Sequence, residues 1–507
     1  MLKNTIMIFF MIISVILCGN LSDSYIDKEI GSDIAGLSSF MRSIDNMEFS
    51  EKQKGFSIEY NNCIDGQERP FGLYIPDSYN RKEFHTLIVY LHGLVSRKEI
   101  MSKEEIMEYG DDWEIKEMAD ENNYIVIYPT GQKGALWWDS VGTDNILDQI
   151  RYVKENYNVN DDAVFMTGFS DGASASFYFA MCYPNEFAGF IPLNGHAGVA
   201  NIDGKIQTYF QNLSQRPLHV INTDEDGLYP DKKMREMMHL AIEAGGDIDY
   251  KTYTGYGHDF DYVKFEIPFI AEFINSTRRP SFRSHVKWFT DNSNTRNRID
   301  WLEITGIESD NPVPIEDIGD YNMQLPDDRI MLGFYSDYEF EGPGIKVDGI
   351  AGDSTLCSIM NIEAGDIFIK LDSFDIKTMD DMGRYKETKS RGDSTYVEVL
   401  RNGDTLRMKG AYPPVRYYPL FTRDNTTAYC EGVFIGNEYH INTVNTVSVC
   451  IYINAKYIDF KQSVKIFVNG NEKYNKKIEP DWGFALDNLK DSKDRKKLYI
   501  KKINIDI

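Results

Sequence analysis

The sequence predicts a multidomain chain: a doubly wound α/β block first, then a small α+β unit, with an all-β sandwich around and after it. Three observations carry this. Short apolar runs alternate with helix-patterned segments from Phe56 to about Ser276, as in a parallel sheet covered on both faces. Beyond the linker Arg278-Arg279-Pro280 the texture turns to strands, with Asn402-Gly403 and Asn469-Gly470 as hairpin signals. Finally, 507 residues exceed what one ordinary core accommodates.

The elements follow in order. Lys3 and the apolar run Ile6 to Leu17, ending in Cys18-Gly19-Asn20, read as a signal peptide over residues 1–20. The run is too short for a comfortable membrane span and has the form of a secretory h-region. Secretion, or residence in a periplasm or at a cell surface, is therefore expected. Membrane attachment enters only if Cys18 is lipidated, and Leu17 stands where a lipoprotein signal has a small residue. Residues 21–50 are a polar leader.

Residues 51–280 form the α/β block. Strands are expected at Phe71 to Ile75, Thr86 to Tyr90, Tyr124 to Tyr128, Ala163 to Thr167, Gly189 to Leu193 and Leu218 to Ile221. Helices are expected at Lys103 to Asp120, Asn145 to Glu155, Ala173 to Met181 and Lys232 to Ala244. Residues 281–324 hold two strands, which cannot bury their apolar faces alone. They are expected to pack with 413–507 as one sandwich, split by the compact unit 325–412.

A hydrophobic content of 42% fits a globular chain, and a formal charge of −25 argues against a nucleic-acid partner. The locally basic stretch at Lys490, Lys493, Arg495, Lys496 and Lys497 reads as a solvated face. No cysteine spacing suggests zinc or haem, and no metal or other cofactor is expected. After Cys18 five cysteines remain, so at least one is unpaired; Cys430 and Cys450 either bridge or are buried thiols.

The chemistry centres on "VFMTGFSDGASASFYFAMCYP", where Gly168, Ser170 and Gly172 spell G-x-S-x-G between a strand-like run and a helix-like one. That setting places a serine hydroxyl at the top of a parallel sheet. A serine nucleophile needs a histidine held by a carboxylate, in the chain order Ser, Asp or Glu, His. Of eight histidines, His258 in the loop "TYTGYGHDF" follows the last strand of the block and fits the base. His85 and His219 read as structural, His196 as loop-shaping, His239 as a helix residue, and His285 and His440 lie outside the block. In "HVINTDEDGLYPDKKM" Asp224, Glu225 and Asp226 all compete for the acid; Asp226, four residues before Pro230, is preferred. Oxyanion donors are expected from Asp171 N–H and from the loop at Gly93-Leu94. His92 comes too early to be the base; it falls to the oxyanion loop and the substrate side of the site. Trp137 and Trp138 either face a substrate or are buried under their loop.

The pieces "LIVYLHG", "VIYPTG", "WWD", "VNDDAVFMTGFSDGASASFYFAMCYPNEFAGF" and "GYGHDF" make the block resemble secreted polyhydroxybutyrate depolymerases and feruloyl esterases, α/β-hydrolases of the carbohydrate-esterase kind. The resemblance implies a triad of Ser170, Asp226 and His258. Two departures are "INTDED" before the acid and "GHDFD" after the base. The unit opening "MLGFYSDYEFEGPGIKVDGIAGD" resembles a bacterial-type PDZ domain. That implies capture of a peptide C-terminus by the amides of Leu332, Gly333 and Phe334, beside a helix at about Asp380 to Lys389. The final strand, Leu498 to Ile505, is expected to keep Ile507 in the sandwich rather than in that groove.

The function expected is a serine esterase working through an acyl-enzyme, with feruloyl or acetyl esters of polysaccharide as the first choice of substrate. Alternatives are a polyhydroxyalkanoate depolymerase or serine peptidase on the same fold, and a non-catalytic surface protein binding through its PDZ unit.

Overall fold

The computed structural model describes residues 48–50, 53–110, 113–327, 330–337, 339–352 and 355–507. The expected signal peptide, Cys18 and nearly all of the leader lie outside them. The chain divides into two compact units, one closing at Asn322 and resuming at Phe421, the other Met323–Leu420.

In the first unit, an eight-stranded sheet uses β1 (Gly55–Asn62), β2 (Glu68–Ile75), β3 (His85–Leu91), β4 (Ile125–Tyr128), β5 (Val159–Phe169), β6 (Gly189–Leu193), β7 (Leu218–Thr223) and β8 (Ile248–Tyr253). Their order is β1-β2-β4-β3-β5-β6-β7-β8. β1 with β2 and β2 with β4 are antiparallel; from β4 onward all pairs are parallel. This is the arrangement of an α/β-hydrolase. Its helices are α1 (Lys103–Gly110), α2 (Trp113–Asn122), α3 (Ser140–Asn156), α4 (Asp171–Cys182), α5 (Asp231–Glu243) and α6 (Val263–Ser276), with shorter turns between. β3 to β7 are almost wholly buried and rich in Ile, Val and Leu, as strands covered on both faces must be. The single helix expected over Lys103 to Asp120 is instead α1 and α2. α1 ends at Gly110, whose side-chain space is taken by the ring of Phe56 from β1.

The first unit continues into two further sheets. β9 (His285–Thr290), β20 (Ala428–Ile435), β21 (Glu438–Val444), β23 (Val464–Val468) and β24 (Asn471–Lys476) form one; β10 (Arg298–Ile299), β11 (Leu302–Ile307), β22 (Thr446–Asn454) and β25 (Tyr499–Asp506) form the other. Their facing residues share a core that includes Trp288, Trp301, Cys430, Tyr439, Val449 and Ile466. Strands before and after Met323–Leu420 thus supply one hydrophobic interior. The region is not wholly β: Trp482–Ser492 is a helix capped by Asp481, whose side chain accepts from Phe484 N–H. Trp482, Ala485, Leu486 and Leu489 recur at helical spacing and bury against the sheet. β25 stays in place to its end, and Ile507 N–H donates to Val447 O at 2.9 Å.

In the basic stretch near the end Lys490 is exposed, but the later residues do not form a solvated face. Arg495 and Lys497 are buried, pairing with Asp161 and Asp300, while Lys493 reaches Glu155 at 3.2 Å. Asp494 receives Arg279 at 2.7 Å, and Arg279 also holds Asp162 at 3.0 Å. The pairs of Lys493, Asp494 and Arg495 join the C-terminal segment to the α/β block, Lys497 and Asp300 pair within the β part, and Arg279 with Asp162 lies inside the block. All five cysteines among the described residues are free and buried, so Cys430 and Cys450 are thiols in the core.

The second unit has a sheet of order β13 (Phe334–Ser336), β14 (Ile345–Ile350), β15 (Ile367–Leu371), β17 (Ser394–Arg401) and β18 (Asp404–Ala411), with β16 (Phe374–Asp375) on β15. A helix at Met379–Glu387 carries a capping box between Thr378 and Asp381. Val347, Leu356, Phe368, Tyr385 and Val397 centre its core. β12 (Gln324–Asp327) and β19 (Arg416–Pro419) pair antiparallel where the chain enters and leaves.

Candidate active site

Ser170 sits between β5 and α4 with φ 58° and ψ −115°. A non-glycine residue there is held against its preference, as expected of a sharp strand-to-helix elbow. The elbow closes on the end of β3. A side chain on Gly168 or Gly172 would come within 2.4 or 2.0 Å of Leu91 O, so both positions require glycine. Ser170 N–H donates to Leu193 O at 3.1 Å, tying the elbow to β6.

His258 arrives on the loop after β8. Its Nε2 is 2.9 Å from Ser170 Oγ and its Nδ1 2.8 Å from Asp226 Oδ2. Phe169 lies against the imidazole, ring centres 4.9 Å apart. Thr223 Oγ1 donates to Gly257 O at 2.6 Å, fixing the loop just before the histidine. Asp226 is buried at the end of β7, its Oδ1 accepting from Leu228 and Tyr229 N–H at 2.8 Å each and its Oδ2 from Asn194 Nδ2 at 3.0 Å. Burial alone would raise its pKa, yet bonds from His258, Asn194 and Tyr229 outweigh it and hold the carboxyl below its usual range. Asp224 is exposed and turned elsewhere, accepting from Gly255 N–H at 2.7 Å.

The loop after β3 lies against the elbow. A side chain on Gly93 would approach Ser170 Cβ to 3.1 Å and its Oγ to 3.7 Å. Leu94 has φ 52° and is 75% exposed, an unusual place for a leucine. Asp171 braces this loop, since its Oδ2 accepts from Val95 N–H at 2.9 Å. As the first residue of α4, Asp171 also offers a main-chain N–H with no partner inside the helix.

His92, Trp137 and Trp138 do not form a substrate surface. His92 is buried, Nε2 accepting from Gly131 N–H at 3.0 Å and Nδ1 donating to Gly93 O at 2.6 Å. Burial pushes its pKa down to about 4, so it stays neutral in this role. Trp137 is fully buried, packs on His92 and donates to His92 O at 3.1 Å. Trp138 is buried beside Gly204. His92 and Trp137 shape the loop that carries Gly93 and Leu94. Leu332, Gly333 and Phe334 belong to the second unit: Leu332 is buried, and Gly333, with φ 87°, leads into β13.

Two residues were missed in the sequence. Asn194, at φ 52°, follows β6 and holds both Asp226 and Thr223 Oγ1; an Asn-Gly pair by itself signals no more than a turn. Tyr229 lies edge-on to His258, ring centres 5.5 Å apart, and its hydroxyl interacts with Ser174 and Ser170. Burial, then the charge of Asp171, pushes the Tyr229 pKa up to about 12, so the phenol keeps its proton. Among the described residues no group of three or more His, Cys, Asp or Glu side chains could hold a metal ion.

Residues 140–278, about the second half of the α/β block, match the model of the phospholipase/carboxylesterase family. A bifunctional acetylxylan esterase/xylanase of Neocallimastix patriciarum is 27% identical over 200 residues, 36% of this chain and 26% of its own length. A probable feruloyl esterase C of Aspergillus flavus is 28% identical over 130 residues, 25% of this chain and 47% of its own. The chain thus spans less than half the length of these relatives. Among solved structures, a Staphylococcus aureus fluorophosphonate-binding serine hydrolase is similar over 44% of this chain and 99% of its own, at 16% identity and a TM-score of 0.37.

Proposed function

We propose that the α/β block is a serine carboxylic-ester hydrolase with Ser170, His258 and Asp226 as its triad. The observation that carries this is the continuous hydrogen-bonded line from Asp226 Oδ2 through both imidazole nitrogens to Ser170 Oγ, at 2.8 and 2.9 Å. With Nδ1–H donating to Asp226, Nε2 is free to accept the serine proton. Ser170 Oγ attacks the ester carbon while His258 takes that proton. The tetrahedral oxyanion is received by the Asp171 and Leu94 N–H groups, a reading supported by Gly93 abutting Ser170 and by the brace from Asp171 to Val95. His258 then protonates the departing alkoxide. Water, deprotonated by the same nitrogen, cleaves the acyl-serine and restores the free enzyme.

Esters of acetyl or ferulic acid on a polysaccharide are the substrates proposed, following the acetylxylan and feruloyl esterase relatives. Exposed Leu94 and Leu228, on the loops either side of the triad, favour an acyl group with apolar surface. Export by the N-terminal signal fits that substrate. The second unit is proposed as a PDZ-type module, supported by the edge position of β13 after Leu332-Gly333, which offers a peptide an open strand.

The test is hydrolysis of p-nitrophenyl acetate with labelling by a fluorophosphonate. Ser170→Ala should lower kcat by about 10⁴-fold or more and abolish labelling. A wild-type protein that neither turns over nor labels would overturn the reading. Rates on acetylated xylan and methyl ferulate then rank the substrates.

A further inference from the structure

A cavity of about 290 Å³ opens where the outer face of β9 meets residues 318–321. Lys287, Phe289, Tyr429, Tyr321, Gln211 and Gly319 line it. Lys287 and Phe289 alternate along β9 and so share a face, and Tyr429 pairs with Phe289 across the strands, rings 4.5 Å apart.

Two polar groups here are uncommitted. Gln211 is only 3% exposed; its Nε2 donates to Gly319 O, while Oε1 has no hydrogen-bond partner among the described residues. A buried acceptor left unpaired is costly, which marks it as a receiver for a ligand's donor. Lys287 faces Glu431 across the ladder, but Glu431 is taken by His285 at 2.7 Å, and no ion pair holds Lys287 among the described residues.

We propose that this cavity binds a single pyranose residue bearing a carboxylate. The volume suits one sugar ring, at the small end of ligand pockets. The C–H face of the ring packs on the aromatic wall, a hydroxyl donates to Gln211 Oε1, and the carboxylate meets the Lys287 ammonium. A bare anion would use Lys287 and leave the rings and the amide idle. A flat hydrocarbon would leave both polar groups unpaired. The inference stands apart from the ester-hydrolase reading, because none of these residues belongs to the Ser170 site.

The test is isothermal titration of the full chain with glucuronate, methyl β-glucopyranoside and acetate. Glucuronate should bind, the neutral glucoside about tenfold more weakly, and acetate not measurably. Lys287→Ala should bring glucuronate down to the level of the glucoside. Val444→Trp, which fills the cavity from β21, should abolish both. Each variant should keep the wild-type melting temperature and its p-nitrophenyl acetate turnover. The proposal is overturned if no sugar binds, if acetate binds as well as glucuronate, or if Lys287→Ala leaves the preference for the acid unchanged. That last comparison decides alone should Val444→Trp fail to fold.

Discussion

His258 Nδ1 lies 2.8 Å from Asp226 Oδ2, and the Asp226 carboxylate takes three further N–H bonds, from Leu228, Tyr229 and Asn194. The aspartate is therefore oriented before the imidazole docks on it. Asp226→Asn should keep the fold but turn an N–H toward Nδ1 and favour the wrong tautomer, lowering kcat by about 10⁴-fold. Asp224→Asn, which disturbs only the Gly255 contact, should change kcat by less than about threefold, well under the 10²–10⁴-fold typical of an acid–base partner. Steady-state kinetics on p-nitrophenyl acetate separates the two.

Much of this site could be read before folding, because its parts are local. The glycines about Ser170, the turn after β7 and the glycine loop of His258 each announce their backbone. Asp226 could be preferred over Asp224 from its distance to Pro230 alone. What could not be read is what reaches across the chain. Asn194 is 32 residues from Asp226 and carries no motif. Trp137 and Trp138 have the same letters whether they face solvent or are buried, the first on His92 and the second beside Gly204. The buried pairs of Arg495 and Lys497 looked like surface because their acidic partners lie some 200 to 334 residues earlier. The helix at Trp482–Ser492 was legible, with an Asp cap and an apolar stripe, but was masked by strands on both sides.

His219, unlike His258, is set between two acids. Its Nδ1 is 2.7 Å from Asp249 Oδ2 and its Nε2 2.7 Å from Glu266 Oε1. A neutral ring has one bare nitrogen, which would face a carboxylate, so the imidazolium fits and the neutral form does not. Burial alone would lower the His219 pKa, but Glu266 and Asp249 outweigh it and raise it. The folded value thus lies above the unfolded one, near 6.5. The stabilisation is complete below that pH and is lost as pH rises through the folded value. Melting temperature should fall on going from pH 6 to 9, and His219→Gln should flatten that fall.

Asp494 and Arg279, 2.7 Å apart and both buried, tie the chain's C-terminal segment to the α/β block. Burial would raise the Asp494 pKa, but Arg279 and Lys154 hold it far below the ordinary range. Because the folded value is depressed, this stability is present above about pH 4 and drains away as pH falls further. Asp494→Asn leaves Arg279 without its full counter-charge and should cost about 3–5 kcal/mol. Lys493→Ala, on the partly exposed pair with Glu155, should cost less than about 1 kcal/mol. Urea denaturation at pH 7 and pH 2 measures both effects, and the Asp494 variant should show less loss on acidification than the wild type.

Tyr229 presents a protonated phenol beside Ser170 and His258, supported by Ser174. Ser174 is itself fixed: its hydroxyl donates to Ser170 O at 3.1 Å and accepts from His196 N–H at 3.1 Å. In the proposed reaction the leaving oxygen departs from the acyl carbon toward His258, within reach of that phenol. A donor there matters most when the leaving alkoxide is basic, and little for p-nitrophenolate, which needs no protonation. Tyr229→Phe should therefore lower kcat by about tenfold for methyl or sugar esters and by less than about twofold for p-nitrophenyl acetate, with KM for the latter unchanged. A merely structural loss would reduce both substrates alike. A leaving-group series from p-nitrophenyl to alkyl esters, run on wild type and variant, reads the difference as a steeper dependence of rate on alcohol pKa in the variant; equal slopes would assign Tyr229 to packing alone.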